Sequence, residues 1–234
     1  MPLYLIPSTL GEGAIATLPP ATLAVVRDTK HFIVETGKVA RRFLKEVELN
    51  HRLQECTYYE LNKFTRPEEL PGFLAAAERG EAVGLLSDAG APGVADPGAR
   101  IVRLAHQRGI WVVPLVGPSA ILLAVMSSGM NGQSFAFRGY LSPKRNQLAK
   151  DLRRLEADSR RLGQTQLWIE APYRNRATVE TALEALQPGT WFSVACDLTT
   201  EREWIRTARV KDWNKQVGEE LQKRPAMFLL LTDD

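Results

Sequence analysis

Short runs of branched and aliphatic residues alternate with helix-patterned segments through the first half of this chain, and that order constrains the fold more than any other feature. Residues 3–6, 32–34, 82–86 and 111–113 read as strands, with helices over 20–27 and 99–108 between them. A strand, helix, strand order repeated in this way predicts a mostly parallel sheet covered on both faces, an α/β domain. Later in the chain a helix is expected over 143–162, with Ser142 as N-cap, Pro143 at the first helical position, and Leu148, Leu152 and Leu155 at i, i+4 and i+7. Strands at 167–169, 191–195, 204–207 and 227–231, with one clear helix over 176–186, then predict a mixed sheet. The fold class is therefore α/β with two domains: 1–139 around a parallel sheet and 140–234 around a mixed one, divided in the stretch 139–143.

Residues 109–137 carry no charge, long enough to span a bilayer as one helix. Pro114, Gly117 and Pro118 cut that run into a buried strand, a turn and a helix starting at Ser119, so no membrane segment is expected. The first residues lack a basic region and a cleavable apolar core, which predicts no signal peptide. Cys56 and Cys196 stand far apart and His31, His51 and His106 are scattered, so neither a disulfide framework nor a metal site is expected; a reducing cytoplasm follows. With a net charge of only +3, affinity for nucleic acid must come from a local patch. Residues 138–161 supply one: eight Lys/Arg against three Asp/Glu.

The densest turn chemistry is Ser87-Asp88-Ala89-Gly90-Ala91-Pro92-Gly93-Val94-Ala95-Asp96-Pro97-Gly98, directly after a predicted strand. An open α/β sheet binds ligands beyond the carboxyl ends of its strands, and glycines let the backbone approach a ligand closely. Asp88 and Gly90 are thus candidate ligand contacts, while Asp96 before Pro97 reads as a helix N-cap. A second loop, 116–120, ends in a helix start whose free N–H groups suit an anionic or carbonyl group. Gly11-Glu12-Gly13-Ala14-Ile15-Ala16, with Glu35 further on, matches the dinucleotide fingerprint. It fails on context, because Pro7-Ser8-Thr9-Leu10 separates it from the strand and Pro19-Pro20 would break the helix it should open.

Four blocks now carry a resemblance: Leu3-Tyr4-Leu5-Ile6-Pro7-Ser8-Thr9-Leu10-Gly11, the loop 87–98, Pro114-Leu115-Val116-Gly117-Pro118-Ser119-Ala120, and Phe137-Arg138-Gly139-Tyr140-Leu141-Ser142-Pro143-Lys144. In order and over nearly the whole chain they resemble the tetrapyrrole methylase superfamily, and within it the branch that methylates a cytidine ribose 2′-hydroxyl of small-subunit ribosomal RNA. The resemblance implies two α/β domains with S-adenosyl-L-methionine in the cleft between them, in a homodimer. It places cofactor contacts on Leu10, Asp88, Pro92, Ser119, Ala120 and the backbone near Ala226. Departures fall on the substrate side. Glu35-Thr36-Gly37-Lys38 stands where the family has an acidic residue followed by Asp-Thr-Arg. Ile169-Glu170-Ala171-Pro172-Tyr173-Arg174 lacks the family's His, Cys196-Asp197-Leu198-Thr199-Thr200 lacks two basic residues, and a C-terminal segment common in these enzymes does not follow the last strand.

Methyl transfer from a sulfonium is an in-line displacement in which positioning supplies most of the acceleration. A ribose hydroxyl gains from a base within hydrogen-bond reach, for which Glu35, Glu170 and Asp197 are candidates. Lys38, Lys144, Arg145 and Arg174 are candidate substrate contacts, although Glu170 and Arg174 at i, i+4 equally suit a structural ion pair. The altered substrate blocks leave open a same-fold methyltransferase acting on a small, tetrapyrrole-like molecule or a protein side chain, and a non-catalytic cofactor-binding protein.

Overall fold

The computed structural model describes residues 1–214 and 216–233. By its contacts the chain divides into two units, Met1–Ser119 and Ala120–Asp234. The first runs β1 (Leu3–Ile6), α1 (Pro20–Asp28), β2 (His31–Val34), α2 (Gly37–Val47), β3 (Thr57–Glu60), α3 (Leu70–Phe73), α4 (Ala75–Glu78), β4 (Val83–Leu86), α5 (Ala99–Gln107) and β5 (Val112–Pro114). Its sheet is parallel with order β3-β2-β4-β1-β5. The chain leaves β1 toward β2 on one side and leaves β4 toward β5 on the other. Adjacent strands whose connections part in this way leave a crevice at their carboxyl ends, and the loops at 7–13 and 87–98 lie there.

β4 is buried at every position and Gly84 explains how its neighbours close on it, since a Cβ there would stand 2.5 Å from Ile6 Cδ1. One apolar cluster, including Leu3, Ile33, Leu74 and Ile101, and a second, including Ile6, Phe32, Leu44 and Leu86, make up the core of this unit. Leu74 is fully buried and Phe73 stacks on Tyr59 with centroids 5.2 Å apart, so the segment 67–79 packs inward. After Gly11 and Gly13 comes only a 3-10 turn, Ile15–Thr17, before α1 opens at Pro20. No dinucleotide-type helix follows those glycines, as the two prolines require.

The second unit runs α6 (Ala120–Ser128), β6 (Phe135–Tyr140), α7 (Arg145–Leu162), β7 (Thr165–Ile169), α8 (Asn175–Ala185), β8 (Trp191–Cys196), β9 (Trp204–Arg209), α9 (Val217–Glu220) and β10 (Ala226–Leu231). Its sheet has order β6-β7-β10-β8-β9, with β6 and β7 parallel and the other pairs antiparallel. The mixed sheet matches the sequence expectation. Central β10 is a continuous apolar run, and Trp168, Phe192 and Phe228 stack across β7, β8 and β10 with centroids 5.7–6.3 Å apart. Leu148, Leu152 and Leu155 of α7 are buried as their spacing predicts.

Two local expectations change. The division falls at Ser119 rather than in 139–143, because α6 packs on β8, β9 and β10 and β6 joins the second sheet. Helix α7 starts two residues later than expected, with Lys144 rather than Ser142 at the cap. The Ser142 hydroxyl instead accepts from the Lys144 N–H at 3.4 Å. Helix α2 and strands β3 and β6 carry no strong boundary signal in the sequence; β3 lies on the sheet edge and β6 contains Arg138 and Gly139.

Candidate functional site

In the first unit, three loops converge on Gly90. Ser8 and Gly90 form an antiparallel bridge, Ser8 N–H to Gly90 O at 3.0 Å and Gly90 N–H to Ser8 O at 3.2 Å, and the Ser8 hydroxyl donates to the Ser87 carbonyl at 3.0 Å. Gly90 has φ +74°, and a Cβ there would sit 3.0 Å from Leu10 Cδ2 and 3.5 Å from the Pro118 carbonyl oxygen. Only glycine satisfies both the conformation and the crowding. The structure thus brings Leu10, Asp88, Gly90, Pro92 and the approach to Ser119 together at the carboxyl edge of one sheet.

Asp96 does not cap α5, whose N-cap is Gly98 with no side-chain cap bond. Its carboxylate accepts from Gly93 N–H at 2.9 Å and from Gly98 N–H at 2.7 Å, pinning a loop in which Gly93 and Ala95 both take positive φ. Capping would have used one acceptor near the helix end; the turn that holds Gly93 uses both oxygens.

Asp88 is held from β2. The Thr36 N–H donates to Asp88 Oδ1 at 3.1 Å and the Thr36 hydroxyl to Oδ2 at 2.7 Å. Thr36 is the N-cap of α2, yet its hydroxyl caps nothing in its own helix, because it is turned to Asp88. Glu60 Oε1 accepts from the Gly37 N–H at 3.2 Å instead, and the positive end of α2 favours these carboxylates. Thr36 was not among the residues singled out from sequence, and its only signal is that it stands at a departure from the family block.

Glu35 lies beside Asp88 and Asp96. Burial first, then the charges of Asp88 and Asp96, hold its carboxyl above the ordinary value of 4.5, partly offset by a hydrogen bond from the Asp88 backbone. A raised carboxyl binds its proton more tightly in the fold than in the unfolded chain. Its contribution is therefore present below the unfolded value and lost as pH rises through the folded one. Glu35→Gln accordingly gains stability over wild type near pH 7 and gains none near pH 4, which thermal unfolding at about those two pH values reads directly.

Lys38 is exposed on α2 of the first unit, and the remaining sequence candidates lie in the second unit. Glu170, its side chain 1% exposed, pairs with Arg174 Nη2 at 3.1 Å and accepts from Ala171 N–H at 2.8 Å. Arg174 also donates to the Ser142 carbonyl at 3.0 Å. Asp197 pairs with Arg224 Nε at 2.7 Å, a partner the sequence did not single out. Ala226 opens β10 opposite Cys196, and Ala120 opens α6. Lys144 precedes α7, and Arg145 on it pairs with Glu184 at 2.7 Å. Burial pushes the Cys196 thiol up to about 11 and raises that of Cys56, so neither is poised as a thiolate. Among the described residues no group of three His, Cys, Asp or Glu is placed to hold a metal ion. None of the helices described is long and apolar enough to cross a membrane.

Comparison with known proteins completes the assignment. The profile of the tetrapyrrole (corrin/porphyrin) methylases matches residues 3–213. Proteins named ribosomal RNA small subunit methyltransferase I are similar over most of the chain. The one from Synechocystis is 31% identical, covering 86% of this chain and 68% of its own, and the one from Mesorhizobium japonicum is 34% identical, covering 89% and 67%. Among solved structures the methyltransferase CobJ has the same fold, with TM-score 0.63 at 17% identity over the full length of both chains. A uroporphyrin-III C-methyl transferase from Thermus thermophilus, complexed with S-adenyl homocysteine, aligns with TM-score 0.56 at 16% identity over 99% of this chain and 97% of its own. Two α/β units with glycine-rich loops at the carboxyl edge of a parallel sheet thus define a methyltransferase whose methyl donor is S-adenosylmethionine. The chain belongs to the tetrapyrrole methylase family.

The residues of the first unit fit that cofactor. Burial and then the charges of Asp88 and Asp96 raise the Glu35 carboxyl, and among the described residues no Lys or Arg forms an ion pair with any of the three. A ligand carrying sulfonium and ammonium cations relieves that repulsion.

Proposed function

We propose that this chain transfers a methyl group to a ribose 2′-hydroxyl of small-subunit ribosomal RNA. The observation that carries the reading is the run of relatives of that name, which align through both units rather than through the cofactor loops alone. Bound S-adenosylmethionine supplies an electrophilic methyl group. Asp88, fixed by Thr36, holds a polar part of the cofactor, and Leu10, Gly90, Pro92 and Ser119 shape its walls; Ala120 and Ala226 are the further cofactor contacts that the family resemblance implies. Glu35 is the preferred acceptor of the hydroxyl proton, because among the described residues no Lys or Arg pairs with it, whereas Glu170 and Asp197 are committed to arginines. Lys38 and Lys144 contact substrate phosphates, Arg145 joins them on leaving Glu184, and Arg174 acts through the Glu170 pair. The reading carries a cytoplasmic location and a homodimer.

The test incubates the protein with S-adenosylmethionine and small ribosomal subunits from a strain lacking this gene, then digests the RNA and reads nucleosides by mass spectrometry. A new 2′-O-methylated nucleoside is expected. Methylation of a tetrapyrrole or a ribosomal protein with none on RNA removes the RNA reading while keeping the enzyme. Light scattering at 26.1 kDa, rather than twice that, removes the dimer.

A further inference from the structure

Helix α2 carries Lys38, Arg41, Arg42 and Lys45 at i, i+3, i+4 and i+7, all exposed on one face, while Ala40, Phe43, Leu44 and Val47 bury the other. Like charges at these spacings destabilise a helix. An ordinary solvated face offsets them with acids, as α7 does with Arg154–Asp151 and Arg161–Asp158 and α8 with Arg176–Glu180. On α2 only Arg42 has such a partner, Glu12, at 2.5 Å across the mouth of a recess; among the described residues Lys38, Arg41 and Lys45 form no ion pair. Arg41 instead lies over the Tyr58 ring, 5.7 Å from its centroid, which holds the guanidinium at the surface.

The recess places this stripe next to the chemistry. It lies between α2 and the loops after β1 and β4, about 140 Å³ and open to solvent, with Thr9, Leu10, Val39, Phe43, Ser87 and Asp88 among its walls. Asp88 and Leu10 thus face both the cofactor loops and the foot of the basic helix. We infer that the exposed face of α2 is the surface that docks the phosphate backbone of the substrate RNA beside the acceptor nucleotide, with Arg41, Arg42 and Lys45 extending the contact begun by Lys38. The inference rests on the RNA reading above and adds where the strand lies. A run of phosphates supplies the counter-charge that Lys38, Arg41 and Lys45 lack among the described residues, since Glu46 of the same helix forms no ion pair with them, and Arg42 exchanges Glu12 for a phosphate oxygen. The more basic segment 138–161 is weaker ground, since Arg138, Arg145, Arg154 and Arg161 already have acidic partners.

The test measures binding of fluorescein-labelled poly(C) RNA and of small ribosomal subunits between about 50 and 200 mM salt. For a single strand, each lost phosphate contact lowers the slope of log affinity against log salt by about 0.7, so the Arg41→Gln, Lys45→Gln double variant is expected to lose about 1.4. The Arg41→Lys, Lys45→Arg double variant keeps the wild-type slope, which separates charge from packing. Lys63→Gln with Arg103→Gln, the same charge change elsewhere, keeps it too. S-adenosylmethionine affinity stays at the wild-type value in all three, showing an intact fold. If wild type binds RNA with a steep salt slope and the glutamine pair leaves it unchanged, or the Lys63, Arg103 pair lowers it equally, the docking surface is wrong and the RNA reading stands. If wild type shows no salt-dependent RNA binding, both fall. Loss of binding to anionic phospholipid vesicles with RNA binding intact assigns the stripe to a membrane surface and overturns the inference.

Discussion

Replacing Asp88 by alanine raises the dissociation constant for S-adenosylmethionine about ten- to a hundredfold, the loss expected when a hydrogen bond involving a charged group, about 1.5–3 kcal/mol, disappears. The residue is suited to such a direct effect. Both its oxygens are oriented by Thr36, so the ligand meets a carboxylate already fixed in place, and a carboxylate retains lone pairs beyond those two bonds. The Thr36 groups left behind are exposed and regain water, so folding stability changes little. Asp88→Asn, which keeps an acceptor for Thr36 and loses the charge, falls between the two. Calorimetric titration of the three proteins decides the matter; equal affinities place the cofactor elsewhere than the loops of the first unit.

Arg174→Ala destabilises the second unit by about 3–5 kcal/mol, because it strands the Glu170 carboxylate in a site where water does not reach it. Glu170→Gln costs less. The amide oxygen still accepts from Ala171 N–H, and Arg174, with its side chain 16% exposed, finds water. Arg174→Lys recovers only part of the loss, since an ammonium cannot serve both Glu170 and the Ser142 carbonyl in the planar geometry of the guanidinium. Urea unfolding followed by tryptophan fluorescence reports on this unit in particular, because Trp168, Trp191, Trp204 and Trp213 all lie within it. An Arg174→Ala protein that unfolds like wild type but has lost methyl transfer would assign the pair to the reaction rather than to the fold.

The two predictions concern acids that the sequence casts in different roles, Asp88 as a cofactor contact and Glu170 as a candidate base or ion-pair partner. Asp88 and Glu170 are both acids in family blocks; the i, i+4 spacing of Glu170 and Arg174 announces their ion pair, but nothing beside Asp88 says that it stays half-exposed with an orienting hydroxyl from Thr36. The same holds for Asp96, whose position before Pro97 matches a cap and whose oxygens in fact tie Gly93 to Gly98. Local chemistry limits each residue to a few arrangements. The choice among them belongs to partners distant along the chain.

What the amino-acid sequence determined by itself is therefore what neighbouring residues encode: strands from runs of branched side chains, the buried stripe of α7 from its leucine spacing, the failure of the Gly11–Ala16 fingerprint from two prolines, and the crowded turn at Gly90 from its glycines. The tertiary structure alone decided what depends on register between remote segments. Ser8 reaches Gly90 and Thr36 reaches Asp88, 52 residues away, because β1, β2 and β4 align as neighbours in one sheet. The division at Ser119 likewise comes from where α6 packs and not from its own composition. Backbone pattern is written in adjacent residues, whereas the pairing of side chains across a sheet is fixed only when burial of the strands sets which residues face each other.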